Sequence, residues 1–250
     1  MKEIKPWFEV WFDTIEYHTL YGHRDEKEAY SFIESLIENL SCSPCKVLDA
    51  GCGTGRHVFA WAKHGFDTHG FDLSKNSIFL AKKNAELIDN ASFSVLDLRK
   101  LKDNIECHGK YDIVTNLFTS FGYFPNENDH SDVVEGFAKA LKNGGVLVMD
   151  YINTEYSKKR MVSSETQIRD RIEFHIERKF ENGFFKKSIS YTKLNGSNEL
   201  HTELVKAWDS DELSELLFSV GLHVKTIKGD YDFSEYHYDS PRMILIAEKK

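Results

Sequence analysis

Between Lys46 and Asp150 the chain alternates short apolar runs with amphipathic stretches at near-regular intervals, and few folds accommodate that rhythm. Lys46 to Ala50, Asp67 to Phe71, Ala91 to Val95, Tyr111 to Asn116 and Val146 to Asp150 have the length and composition of buried strands. The segments between them carry helical signals. One runs from His57 to His64 and is stopped by Gly65, a second runs from the N-cap Ser74 to Leu87, and a third runs from Ser131 to Leu141 before Asn143-Gly144-Gly145. Strands alternating with helices in this way specify a parallel, doubly wound α/β sheet with helices on both faces.

The rhythm then changes. Ile168 to Phe180, Phe184 to Lys193 and Glu199 to Ala207 alternate apolar with polar residues, as antiparallel strands do. Glu181-Asn182-Gly183 and Asn195-Gly196 supply hairpin turns. Asp209 to Val220 returns to helix, and His223 to Lys228 and Arg242 to Glu248 are the last two strands, making seven in the main sheet. The expected organisation is an α/β domain over residues 1–153 and 208–250, with 154–207 as an inserted antiparallel β-meander. At the N-terminal end Trp7, Phe8, Trp11, Phe12 and Ile15 recur at helical spacing, followed by Tyr17, His18, Tyr21, His23 and Arg24. This reads as a helix packed on the main domain or as a lid over a ligand, and Asp25 to Leu40 as a second amphipathic helix.

Composition narrows the classes. The 250 residues, 41% of them hydrophobic, can bury a sizeable core. A net charge of −8 disfavours phosphate backbones, so no nucleic acid is expected. No apolar stretch reaches the length of a signal peptide or membrane span, which points to a cytoplasmic protein without a membrane partner. Cys42-Ser43-Pro44-Cys45 precedes a strand and lacks further ligands at a sensible spacing, so no metal is expected.

The strongest motif is Asp49-Ala50-Gly51-Cys52-Gly53-Thr54-Gly55, which leaves a buried strand and opens a helix. Glycines there let a ligand approach the main chain, and the helix start offers free N–H groups. A dinucleotide turn, G-x-G-x-x-G, would need glycine where Arg56 stands. The acid before the loop also suits a cationic ligand better than a pyrophosphate. Asp72 closes the second strand about 20 residues beyond the glycines, where a carboxylate can accept both hydroxyls of a ribose. Asp97 follows the third strand, so three acids stand at successive strand ends, where open α/β sheets bind ligands.

The D-x-G-x-G-x-G spacing resembles the first motif of class I methyltransferases that use S-adenosylmethionine (SAM). Trp11-Phe12-Asp13, Tyr17 to Tyr21, His23 to Glu26, Asn116 to Phe124, Gly229 to Asp232 and Asp239 to Arg242 extend the resemblance over nearly the whole chain. They are similar to a bacterial group of small-molecule methyltransferase-domain proteins with a β-sheet insertion after strand five. The resemblance implies a Rossmann-like methyltransferase sheet, SAM as methyl donor and S-adenosylhomocysteine as product. It implies that Asp49, Gly51, Cys52, Gly53, Thr54 and Gly55 form the cofactor loop, and that Asp72 with Leu73 holds the ribose. It places Asp97 on the adenine amine, the Leu98 N–H on the ring, and Asn116, Leu117 and Phe118 beside the methionine part. Asn116-Leu117-Phe118-Thr119 departs from the N/D-P-P-Y/F motif of amino-group methylases acting on adenine or glutamine, which disfavours those substrates.

The sulfonium already makes the methyl group electrophilic, so the protein's task is alignment and exclusion of water. A base is needed only if the acceptor arrives protonated. The candidates are Tyr17, Tyr21, Tyr123 and His175, with His18, Tyr151 and His201 in reserve. The insertion is expected to roof the acceptor site. It carries Arg169, Arg171, Arg178, Lys186 and Lys187 beside Glu173, Glu177 and Glu199, and alternation leaves open which face is inner. The expected acceptor is a small molecule methylated on N or O by a monomer or homodimer. The competing readings are a non-catalytic SAM-binding protein, a domain that uses SAM to bind a protein partner, and an NAD(P)-linked oxidoreductase.

Overall fold

The computed structural model describes residues 5–22, 26–193 and 195–250. His23 and Arg24, read as part of the lid, and Asp25, read as the start of the second helix, lie outside the described residues. In β1 (Lys46–Ala50) Val47 and Leu48 point to opposite faces and both are fully buried, so the strand must be covered on both sides. It pairs in parallel with β2 (Asp67–Asp72) and β4 (Tyr111–Asn116). β3 (Ala91–Val95) lies outside β2, and β5 (Leu141–Ile152) outside β4. β11 (Arg242–Lys249) and β10 (Leu222–Lys228) add antiparallel beyond β5, giving the order β10-β11-β5-β4-β1-β2-β3. The chain runs outward from β1 to β3 and then returns to β4 beside β1, so the loops after β1 and β4 diverge and leave a crevice.

One face carries α3 (Glu26–Leu40) and α4 (Arg56–Lys63), whose Phe32, Ile33, Leu36 and Trp61 pack on Val47, Ile113 and Val148. The other carries α6 (Glu127–Ala140) and α8 (Ser210–Phe218), packed through Val133, Phe137, Leu213 and Leu217. α5 (Lys75–Asn84) starts at the Ser74 cap as expected but ends before Leu87, which is left exposed. α6 begins at Glu127 rather than Ser131, because the Asn126 side chain caps it by accepting from Asn128 N.

The insertion opens with α7 (Thr154–Lys159) and forms a separate antiparallel sheet of four strands: β6 (Ser164–Arg169), β7 (Ile172–Glu181), β8 (Phe184–Thr192) and β9 (Asn198–Lys206). The single strand expected over Ile168 to Phe180 is therefore two. They are joined at Asp170-Arg171, both at positive φ (47° and 69°), a hairpin turn built without the glycine that would have announced it. The inner face of this sheet buries Phe174, Ile176, Ile189 and Tyr191 against Trp11 and Leu20. Those two residues belong to α1 (Trp7–Trp11) and α2 (Ile15–Tyr21), so N-terminal helices and insertion share one aromatic core.

Candidate active site

The three glycines after β1 divide by what surrounds them. A Cβ on Gly51 would stand 2.8 Å from Ser120 Cβ, and one on Gly55 2.7 Å from the Phe93 ring. A Cβ on Gly53 would meet nothing within 4 Å. Gly51 and Gly55 thus let the protein close on itself, while Gly53 keeps space open above the main chain. The loop is tied to β2 by Gly51 N and Cys52 N, which donate to Phe71 O at 2.9 and 3.0 Å. Gly53 N donates to Asp72 Oδ2 at 2.8 Å and Ser74 N to Asp72 Oδ1 at 2.9 Å. Burial raises the Asp72 pKa, against the pull of those N–H groups.

This loop lines a cavity of about 870 Å³, a volume ordinary for a small-molecule site. Gly51, Cys52, Gly53, Thr54, Asp72, Leu73, Asp97, Leu98, Leu117 and Phe118 all face it. Three residues expected at the cofactor stand behind the wall instead. Gly55 packs on Phe93, and Asn116 Nδ2 donates to Ala50 O at 2.8 Å and Ser120 O at 3.2 Å, pinning the two diverging loops together. Asp49 is 1% exposed; Thr115 Oγ1 donates to its Oδ1 at 2.7 Å, its Oδ2 meets no donor among the described residues, and burial lifts its pKa to about 7. Asp97 faces the cavity but is gripped by Arg99, whose backbone N and Nε donate to Oδ1 at 2.9 and 3.0 Å. Burial holds the Cys52 thiol well above its usual pKa and pushes Cys45 up to about 11, so neither offers a thiolate.

Several cavity residues escaped the sequence reading. Arg56, noted only for breaking the dinucleotide spacing, lies over the Phe118 ring at 4.7 Å, and Arg242 approaches the same ring at 5.7 Å. Phe118 and Thr119 both sit at positive φ (59° and 61°), a conformation costing on the order of 1–3 kcal/mol per residue. The buried Asp150 holds them there. Its Oδ2 accepts from Phe118 N at 2.9 Å and Tyr231 Oη at 3.0 Å, and its Oδ1 accepts from Arg242 Nε at 2.7 Å. Arg242 Nη2 then donates to Thr119 Oγ1 at 2.9 Å. The resemblance had marked Tyr231 and Arg242 without giving them a role. Only the folded sheet brings them to the β4 loop.

At the other end the walls are side chains. Tyr17, Tyr21 and Tyr123 line the cavity, as does His18, whose pKa burial lowers against the pull of Asp13. Glu203 Oε1 accepts from Trp11 Nε1 at 2.8 Å and Tyr21 Oη at 2.7 Å. Lys187 donates to Tyr21 Oη, with its Nζ 3.7 Å from Glu203 Oε2. Tyr123 donates to Thr119 O. His175 is elsewhere: β7 turns Phe174 and Ile176 inward, leaving His175 on the outer face, 58% exposed, beside Thr166 and Glu173. His201 stacks on Trp11 at 4.3 Å, and Tyr151 donates to Lys206 O at 2.7 Å, both outside the cavity lining. Among the described residues no group of three His, Cys, Asp or Glu could hold a metal, and no helix is long and apolar enough to cross a membrane.

A glycine gap beside a strand-end carboxylate, open into a cavity between diverging loops, suits an adenosyl ligand, and comparison with known proteins agrees. The chain belongs to the methyltransferase domain family, which matches residues 42–207. It is 26% identical to a glycine/sarcosine N-methyltransferase of Aphanothece halophytica, over 99% of this chain and 89% of that one. It is 28% identical to the dTDP-3-amino-3,4,6-trideoxy-alpha-D-glucopyranose N,N-dimethyltransferase of Streptomyces venezuelae, over 51% of each. A SAM-dependent methyltransferase from Clostridium acetobutylicum superposes with a TM-score of 0.77 at 18% identity, covering 93% of this chain and 95% of that one. The protein is a methyltransferase, and the oxidoreductase reading falls away.

Proposed function

We propose that this enzyme transfers a methyl group from SAM to the amino nitrogen of a small-molecule acceptor. The observation that carries the proposal is one continuous cavity with the Gly53 gap and Asp72 at one end and Tyr21, Lys187 and Glu203 at the other. Cofactor and acceptor would share this one space, and the two relatives described above are named for transfer to nitrogen.

When bound, SAM supplies an electrophilic methyl carbon on a sulfonium. Asp72 would accept from the ribose hydroxyls, and Asp97 with the Leu98 N–H would read the adenine edge. Gly51, Cys52, Gly53 and Thr54 would offer the close main chain, and Leu117 and Phe118 would flank the methionine part. Asn116, Asp49 and Gly55 would support the loop from behind. Trp7, Phe12, Tyr17 and Tyr123 also line the cavity and would shield the reacting atoms from water. A proton leaving the acceptor amine can pass to Tyr21 Oη as Tyr21 gives its own proton to Glu203 Oε1, 2.7 Å away. Lys187 keeps that oxygen polarised.

Incubation with methyl-labelled SAM and a pool of primary and secondary amines tests the reading, with products located by mass spectrometry. We expect N-methylated small molecules and S-adenosylhomocysteine in equal amounts. Label appearing only on bulk protein or RNA, or on oxygen, would refute it.

A further inference from the structure

We infer that the acceptor carries an anionic group, a carboxylate or a phosphate, which docks between Arg178 and Lys187 on the inner face of the inserted sheet. This deepens the proposed function and rests on the acceptor being a small molecule bound in the same cavity.

A second cavity of about 460 Å³ shares Ile152, Lys187, Glu203, Val205 and Arg242 with the main one, so the two lie side by side across those residues. The cations on the second cavity are Arg160, Arg178, Lys186, Lys187 and Arg242, and its carboxylates are Glu165 and Glu203. Asp239, Glu181 and Asp150, behind the lining, pair with Arg160, Lys186 and Arg242, so the cations that face the space with lining carboxylates alone are Arg178 and Lys187.

The strand register shows how the cations come to face inward. Arg178 falls on the same side of β7 as the buried Phe174 and Ile176, and Lys187 on the same side of β8 as the buried Ile189 and Tyr191. Arg178 and Lys187 are direct partners across the β7–β8 ladder. Like charges directly opposite each other destabilise a sheet. Here Glu165 on β6 pairs with Arg178 and Glu203 on β9 approaches Lys187, which tempers the repulsion from the flanks. The Arg178 and Lys187 side chains are 25% and 18% exposed, so an anion there would be largely withdrawn from water, where charge-assisted hydrogen bonds strengthen. Phe185, Val205 and Met161 offer the same space an apolar wall for the body of an organic molecule. An acceptor anchored there would extend its other end past Glu203 into the cavity that holds Tyr21.

The test titrates inorganic phosphate, pyrophosphate and succinate by calorimetry into the full-length protein saturated with S-adenosylhomocysteine. We expect saturable binding of at least one anion, weakened about tenfold by Lys187→Gln or Arg178→Gln, as loss of one charge-assisted contact predicts. Lys225→Gln, on β10, should leave it unchanged. Tightest binding of pyrophosphate assigns a phosphorylated acceptor, and tightest binding of succinate a carboxylate. Two variants are used so that misfolding of one leaves the other to decide. No saturable binding by any of the three, or the same affinity in both variants as in the wild type, overturns the inference. Methylation of a neutral amine in that case leaves the N-methylation reading standing. Anion binding together with methylation only at oxygen overturns that reading and keeps this subsite.

Discussion

At the Gly53 end the cavity is lined by main chain and strand-end carboxylates from residues between Gly51 and Phe118. At the Lys187 end the walls are side chains drawn from α2, β8, β9 and β11, more than 200 residues apart in sequence. The first end is positioned by the sheet itself: strand ends and turns arrive wherever the parallel ladder places them. The second depends on hairpin register, on aromatic packing of α1 and α2, and on ion pairs. A fixed cradle for a common cosubstrate, joined to a wall that can be rebuilt without touching the sheet, is how one fold serves many acceptors.

The sharpest way to break this contrast is to fill the gap. Gly53→Ala places a Cβ where the protein leaves open space, at a φ of 55° that strains the loop locally, and we expect binding of S-adenosylhomocysteine to fall by about two orders of magnitude with the overall fold retained. Asp72→Ala removes a charged acceptor whose hydrogen bonds are worth about 1.5–3 kcal/mol each, so a loss of at least about tenfold is expected. Calorimetry reads the affinity and circular dichroism the fold. Wild-type affinity in either variant would mean the nucleotide end is wrongly placed.

The clamp that joins the two ends is read through stability instead of affinity. Arg242→Met leaves the buried Asp150 without its ion-pair partner, which should cost about 3–5 kcal/mol in urea denaturation. Adding Asp150→Asn should recover part of that loss, because the uncompensated charge is gone. A single-variant loss below about 1 kcal/mol, the range of exposed pairs, would show that the strained Phe118-Thr119 turn does not depend on this network.

The same contrast explains what the sequence could tell. The parallel core, the Gly loop and the strand-end positions of Asp72 and Asp97 were legible because strand, turn and helix follow one another locally and their spacing is set by the sheet. Asp49 and Asn116 were placed at the ligand because their position in the motif is right, yet their side chains turn back to Thr115, Ala50 and Ser120. Spacing fixes a Cα and says nothing about rotamer. His175 failed for a related reason: alternation gave two faces to β7, and only Trp11 and Leu20, contacts from the far end of the chain, decide which is inner. The Asp150–Arg242 clamp was invisible because Asp150 and Arg242 meet only through the antiparallel addition of β11 to β5.

A smaller effect sharpens the contrast at Asp49. Its folded pKa of about 7 lies above the ordinary 3.8, so the folded state holds that proton more tightly than the unfolded chain does. Stability from this group is complete below about pH 4 and drains away as pH rises through 7, by at most about 1.4 kcal/mol for each pH step between those two values. Asp49→Asn has no proton to lose. Relative to that variant, the ligand-free wild type should therefore lose stability between pH 5 and pH 8, as followed by urea denaturation at each pH. A difference that stays flat, or that widens in favour of the wild type as pH rises, would mean Asp49 is ionised and solvated by something that the buried Oδ2 does not show.

The smallest change asks whether the two ends are energetically separate. Tyr21→Phe keeps the ring on Tyr17, with centroids 4.8 Å apart, and removes only the hydroxyl that donates to Glu203. Glu203 retains Trp11 Nε1 and the approach of Lys187, so the stability cost should be about 1 kcal/mol. Affinity for S-adenosylhomocysteine should not move, because the Gly53 end owes nothing to that oxygen. Methyl transfer at saturating SAM should fall, because the relay from the acceptor nitrogen to Glu203 has lost its middle atom. A fall in cofactor affinity alongside the rate would show that the acceptor wall reaches into the nucleotide cradle, and the division of labour between the two ends would have to be given up.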